Sequence, residues 1–194
     1  FYTPTVYEKG AEVIGMMHTL LGDEAYRAAC DLYFMRHDGQ AATCDDFIAC
    51  MQEKTDIDLS QFSLWYSQAG TPVITARHTY DTTTRKFTLS LSQATPPTPG
   101  QPEKHPLHIP VKMGLISKST GRDLLSPPTQ VLHLRKEEQH FVFDDIAEDA
   151  VPSILREFSA PVKASTDLSD DDLFWLMAHD SDGFNRWDSG QTAL

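Results

Sequence analysis

Gly70-Thr71-Pro72-Val73-Ile74-Thr75-Ala76 is the point at which the sequence changes its period. Ahead of it, apolar residues recur at three- and four-residue intervals. Val13, Ile14, Met17, Leu20 and Leu21 share one side of a helix. After it, apolar and polar residues alternate, most cleanly in Phe87-Thr88-Leu89-Ser90-Leu91-Ser92. Proline draws the same line. Pro4 is the only proline before Pro72, and the other eleven fall between Pro72 and Pro161. Proline removes a backbone donor and clashes inside a helix. Residues 5–70 and 162–194 can therefore be helical, and the middle cannot be mostly helix.

Working back from Gly70, four helices are predicted. The first runs from about Val6 to Leu21 and ends at Gly22. Gly10 lies inside it at a cost of ~1 kcal/mol relative to alanine, which suits close approach by another backbone or a ligand. The second runs from Asp23 to about Arg36, with Gly39 as its left-handed exit. Thr43 and Asp46 have the spacing of a capping box for the third, whose apolar side carries Phe47, Ile48 and Met51. Ser60 is predicted to cap a fourth helix carrying Phe62, Trp65 and Tyr66.

Working forward, seven or so short strands are predicted. They are Val73 to Tyr80, Phe87 to Ser92, Leu107 to Ile116 with Pro110 at an edge or bulge, Gln130 to Leu134, His140 to Phe143, Ile154 to Phe158 and Val162 to Ala164. Asp81 to Thr84 reads as a hairpin loop, and so does Arg135 to Glu138. Such a set suggests an antiparallel β-sandwich. Beyond it, Ser169 followed by Asp170, Asp171 and Asp172 is a strong helix start. Leu173, Phe174, Leu176 and Met177 follow, and a second helix runs from Phe184 to Leu194. The predicted class is an α+β multidomain chain divided at 1–70, 71–166 and 167–194.

Composition narrows the function. The net charge is −12, which argues against nucleic acid and against anionic membrane surfaces. The charge is uneven: −7 over residues 1–70, +1 over 71–166 and −6 over 167–194. No apolar run approaches the ~20 residues that span a bilayer. Three cysteines, Cys30, Cys44 and Cys50, do not make a disulfide framework or a zinc ribbon, and a reducing, cytoplasmic setting fits them.

Tyr2 and the run Thr5-Val6-Tyr7-Glu8-Lys9-Gly10-Ala11 resemble the tyrosine-bearing segment of the bacterial gluzincin zinc aminopeptidases. The likeness continues in order through Arg36-His37-Asp38-Gly39, Ala42 to Phe47, Trp65 to Pro72, Phe141 to Asp144 and Glu157 to Lys163. It covers essentially the whole chain. It implies the helical end of a thermolysin-like catalytic domain, then the sandwich as a spacer, then the start of an all-α C-terminal domain. The family's His-Glu-x-x-His motif, with a later glutamate, occurs nowhere in these 194 residues. The resemblance implies that this motif lies ahead of Phe1 and that the chain is an interior piece of a larger enzyme. Zinc then belongs to the parent protein, with no catalytic ligand here. The implied partners are peptide substrates and the parent's remaining domains.

Within that resemblance, Tyr7 is implied to donate a hydrogen bond to the oxyanion of the tetrahedral intermediate. A phenol suits the task because it keeps its proton at neutral pH. Tyr2 is implied to line the substrate pocket. By themselves, both residues read as packing aromatics. Glu8 suits the positive end of a helix and is not assigned a catalytic role.

The eight histidines read as surface or internally satisfied groups. His105 and His108, the closest pair, flank Pro106 without a nearby acidic or thiol set. No phosphate-binding glycine motif and no Gly-x-Ser-x-Gly is present. The competing reading is a non-catalytic scaffold or interaction module with the same architecture.

Overall fold

The computed structural model describes Thr3 and residues 5–194. Its helical part opens with a π-turn, Thr5–Lys9, followed by α1 (Gly10–Leu21), α2 (Asp23–His37), α3 (Cys44–Glu53) and the short α4 (Leu64–Ser67). The first predicted helix is therefore two structures, because the backbone is wound more widely before Gly10. Gly22 ends α1 with φ +77°, and its N–H donates to the His18 carbonyl at 2.8 Å. The Thr43–Asp46 capping box forms in both directions. Ser60 does not cap α4. Its backbone N–H and hydroxyl both turn to the Asp58 carboxylate, and Ser63 stands at the cap position without a side-chain bond. The buried side of α1, Val13, Met16, Met17 and Leu20, packs in one cluster with Met51, Leu59, Phe62 and Trp65.

Seven strands follow among the described residues: β1 (Val73–Asp81), β2 (Lys86–Ala94), β3 (Ile109–Ser117), β4 (Gln130–Leu134), β5 (Glu138–Phe143), β6 (Ala150–Ile154) and β7 (Lys163–Thr166). They form a four-stranded sheet in the order β5-β2-β1-β7 and a three-stranded sheet in the order β4-β3-β6. Pairing is antiparallel except for β7, which runs parallel to β1. β4 and β5 do not form the predicted hairpin. β4 pairs with β3 and β5 with β2, so residues 135–137 carry the chain from one sheet to the other. Period-two patterning marks both strands but cannot name their partners. Phe87, Leu89 and Leu91 from the first sheet share a buried cluster with Ile109, Val111 and Met113 from the second.

Pro110 sits on the central strand, but β6 pairs only from Met113 onward, so the lost donor is not needed on that side. Pro152 lies on β6, an edge strand.

The predicted strand from Ile154 to Phe158 is not formed. Residues 156–158 make a 3-10 turn, and Leu155, Glu157 and Phe158 all have positive φ near 50–60°. The turn swings Arg156 inward, where it is 1% exposed. Its guanidinium donates to Asp123 at 2.8 Å, Asp180 at 2.9 Å, Ser153 at 2.9 Å, Thr129 at 3.0 Å and the Pro128 carbonyl at 3.1 Å. Asp180 follows α5 (Asp170–His179), whose cap is the predicted Ser169, which also forms a reciprocal box with Asp172. α6 (Gly183–Thr192) then returns over β6, where Asn185 donates to Ser153 at 2.7 Å and to the Ile154 carbonyl at 2.8 Å. Leu176 packs with Ile116 and Val151. These two helices are thus bonded into the sheet region through buried polar groups.

The helical part meets the sheets along a hydrogen-bonded seam. Trp65 Nε1 donates to the His108 carbonyl at 3.0 Å, and Gln61 donates to the Pro106 carbonyl at 2.9 Å and the Arg135 carbonyl at 2.6 Å. The His108 side chain pairs with His133, not with His105: Nε2 and Nδ1 lie 3.0 Å apart. Burial, then the neighbouring Arg135 and His133, push the His108 imidazole down to about 3 from 6.5. The unfolded chain takes up this proton as pH falls below 6.5, and the folded chain does not until about 3. Stability is therefore fully present above pH 6.5 and is lost as pH falls through that window. The urea midpoint of the chain should fall between pH 7 and pH 4, and fall less in His108→Gln. An equal acid slope in both proteins would contradict this.

Candidate active site

Tyr7 lies in the middle of the π-turn, 60% exposed. π-helical windings are rare and gather at functional sites. Thr3 anchors the turn: its carbonyl accepts from the N–H of Val6 at 2.9 Å and of Tyr7 at 3.1 Å. Tyr7, with Val6, Gly10, Ala11 and Ile14, lines one side of a broad, open concavity. Tyr33 of α2, Thr43, Cys44 and Phe47 around the start of α3, and Tyr66 of α4 line the other. Four helices, α1 to α4, thus border the space beside Tyr7. Gly10 contributes to that lining without a side chain.

The aromatic wall is specific. Tyr33 meets Phe47 edge-on with ring centroids 5.2 Å apart. Burial, with smaller contributions from Cys44 and Tyr26, pushes the Tyr66 phenol up to about 12. It stays neutral at physiological pH and offers a donor to the concavity. Sequence reasoning saw Tyr66 only as an apolar face of a helix and gave Tyr33 no role. Neither has a local pattern that separates a wall residue from a core residue.

Lys9 closes the π-turn and was not assigned a role by its sequence context. Its ammonium donates to the Gly70 carbonyl at 3.0 Å and sits 5.7 Å from the centre of the Trp65 ring. Burial lowers its pKa from the ordinary lysine value. Glu8 is exposed in the same turn. Tyr2 lies outside the described residues. Among the described residues, no group of three or more His, Cys, Asp or Glu could hold a metal ion. No helix among them is long and apolar enough to cross a membrane.

Residues 1–66 match the peptidase family M1 domain, and residues 70–167 match a domain of unknown function with an Ig-like fold, DUF3458. The chain belongs to peptidase family M1. Its M1 relatives include aminopeptidase N of Escherichia coli strain K12, 50% identical over 198 aligned residues that cover 100% of this chain and 23% of that protein. Aminopeptidase N of Caulobacter vibrioides is also 50% identical, over 99% of this chain and 22% of that protein. The solved structure of Legionella pneumophila aminopeptidase A in complex with aspartic acid superimposes with a TM-score of 0.88. It is 30% identical, covering 99% of this chain and 21% of that one. The chain therefore spans less than a quarter of the length of these M1 relatives. The matched order, M1 helices, then Ig-like sheets, then helices, is the predicted α+β architecture. M1 aminopeptidases are zinc enzymes, and the described residues of this chain do not make a zinc site.

Proposed function

We propose that the chain is one segment of a zinc-dependent aminopeptidase that hydrolyses N-terminal residues from peptides with broad side-chain preference. In this reading Tyr7 is a catalytic residue, and Tyr2 helps to shape the substrate pocket. The zinc ligands, the general base and the group that holds the substrate's free amine belong to other parts of the parent protein. Residues 1–70 complete its catalytic domain, 71–166 form a β-sandwich spacer, and 167–194 begin a helical domain. Three free cysteines suit a cytoplasmic setting.

The observation that carries the reading is an exposed tyrosine on a π-turn, facing an aromatic-lined concavity, in a chain half identical to aminopeptidase N. When bound in the parent, zinc supplies the polarisation of the scissile carbonyl and an activated water. Tyr7's part is separate. Its O–H donates to the oxygen of that carbonyl as it gains negative charge. The donor matters most at the tetrahedral stage, so its loss is felt in kcat more than in substrate binding.

A full-length parent enzyme should hydrolyse alanine 4-nitroanilide, lose that activity to a chelator and recover it with zinc. The isolated 194-residue chain should show no turnover with or without zinc. Zinc-dependent turnover by the isolated chain would refute the assignment of the ligands. A zinc-loaded parent that cleaves no aminoacyl substrate would point to the scaffold instead.

A further inference from the structure

We infer that Lys9 is a positioning residue for Tyr7, an assignment that rests on the catalytic reading of Tyr7. The two residues share one five-residue π-turn, and Lys9 is the last of it. A lysine at the end of an exposed turn would ordinarily keep its ammonium in water. This one crosses 61 residues of sequence to donate to the Gly70 carbonyl at 3.0 Å. On the way its charge lies near the Trp65 ring, 5.7 Å from the centroid.

Both acceptors are themselves fixed. Trp65 is buried, and its Nε1 donates to the His108 carbonyl at 3.0 Å. Gly70 has φ +105°, and a Cβ there would stand 3.0 Å from the Thr95 methyl. The residue before it is held twice: Ala69 N–H donates to Gln101 at 2.8 Å, and Lys104 donates to the Ala69 carbonyl at 2.8 Å. The anchor of Lys9 is therefore the rigid seam between helices and sheets. Through Lys9 that seam sets where the π-turn, and with it the Tyr7 hydroxyl, stands relative to the concavity. A misplacement of about 1 Å at a catalytic group can cost about 100-fold in rate.

The test uses the full-length parent enzyme and alanine 4-nitroanilide. Lys9→Met should lower kcat about 10- to 100-fold while KM stays within about 3-fold. Lys9→Arg, which keeps a cation and donors, should retain more of the activity. The decisive comparison is the double variant Tyr7→Phe/Lys9→Met, which should be no slower than Tyr7→Phe to within about 3-fold, because Lys9 acts only through the Tyr7 hydroxyl. A Lys9→Met enzyme with unchanged kcat overturns the inference. So do losses that multiply in the double variant, since a general structural role would add to the Tyr7 effect. If Tyr7→Phe alone leaves kcat unchanged, the catalytic reading of Tyr7 fails, and that outcome is distinct from a failure of Lys9.

Discussion

Arg156→Met is expected to destabilise the folded chain by about 3–5 kcal/mol, the cost of stranding a buried charge. The Asp180 side chain is 0% exposed, and one of its oxygens already has no partner. Removing the guanidinium leaves its carboxylate buried without a counter-charge, with the Asp182 N–H still donating to it at 2.9 Å. The Thr129 hydroxyl and the Pro128 carbonyl lose the same donor. Burial already raises the Asp180 carboxyl above its ordinary range, with Arg156 opposing. Neutralising the stranded acid, as in Arg156→Met/Asp180→Asn, should recover part of the loss, because the penalty is the unpaired charge and not the missing contact. Urea unfolding checks both. A loss below about 1 kcal/mol in the single variant, the range of an exposed ion pair, would mean that the cluster is solvated.

Gly114 reports on the same cluster from the other side. A Cβ on Gly114 would stand 2.3 Å from the Arg156 Cζ and within 2.5 Å of both terminal nitrogens. The far end of a side chain can ordinarily move aside, but this one is held by five hydrogen bonds. Gly114→Ala should therefore destabilise the natural chain far more than it destabilises Arg156→Met. Equal losses in the two backgrounds would show that Gly114 is present for another reason.

The second large effect is catalytic. In the full-length parent, Tyr7→Phe should lower kcat about 100- to 1000-fold, equivalent to about 2.7–4 kcal/mol, with KM little changed. The variant removes one oxygen atom and keeps the ring, so the packing of the π-turn is preserved. Ground-state binding changes little because the neutral carbonyl needs the donor less than the oxyanion does. A kcat within about 3-fold of the natural enzyme would remove Tyr7 from the mechanism, whatever its position beside the concavity.

The sequence displayed those parts of the fold that are settled within a few residues. The Thr43–Asp46 box and the Ser169 cap were legible because each cap and its partner lie in one turn of helix. The hairpin of β1 and β2 was legible from its alternation and from Asp81, whose carboxylate collects Thr83 and Thr84. Failures came where a distant partner decides. Ile154 to Phe158 reads as a strand from its apolar ends, but Arg156 must turn beneath β3 to reach Asp180, 24 residues away. β5 looks like the return arm of a hairpin from β4 until β2 claims it. His108 sits two residues from Pro106, yet its neighbour is His133, 25 residues on. At the site, the role proposed for Tyr7 rests on resemblance and not on local pattern. Lys9 stayed hidden because its acceptors, Gly70 and Trp65, are brought to it only by the fold.

The measurement that bears most directly on the central claim is the affinity of a phosphinic dipeptide analogue, whose tetrahedral anionic centre mimics the charged intermediate. Its inhibition constant should be compared between the natural full-length enzyme and Tyr7→Phe. If Tyr7 stabilises the oxyanion, the variant binds the analogue more weakly by the same about 100- to 1000-fold that it loses in kcat, while KM for the peptide substrate holds. An unchanged inhibition constant beside a reduced kcat would contradict the account, because the hydroxyl would then serve the reaction without touching the tetrahedral anion.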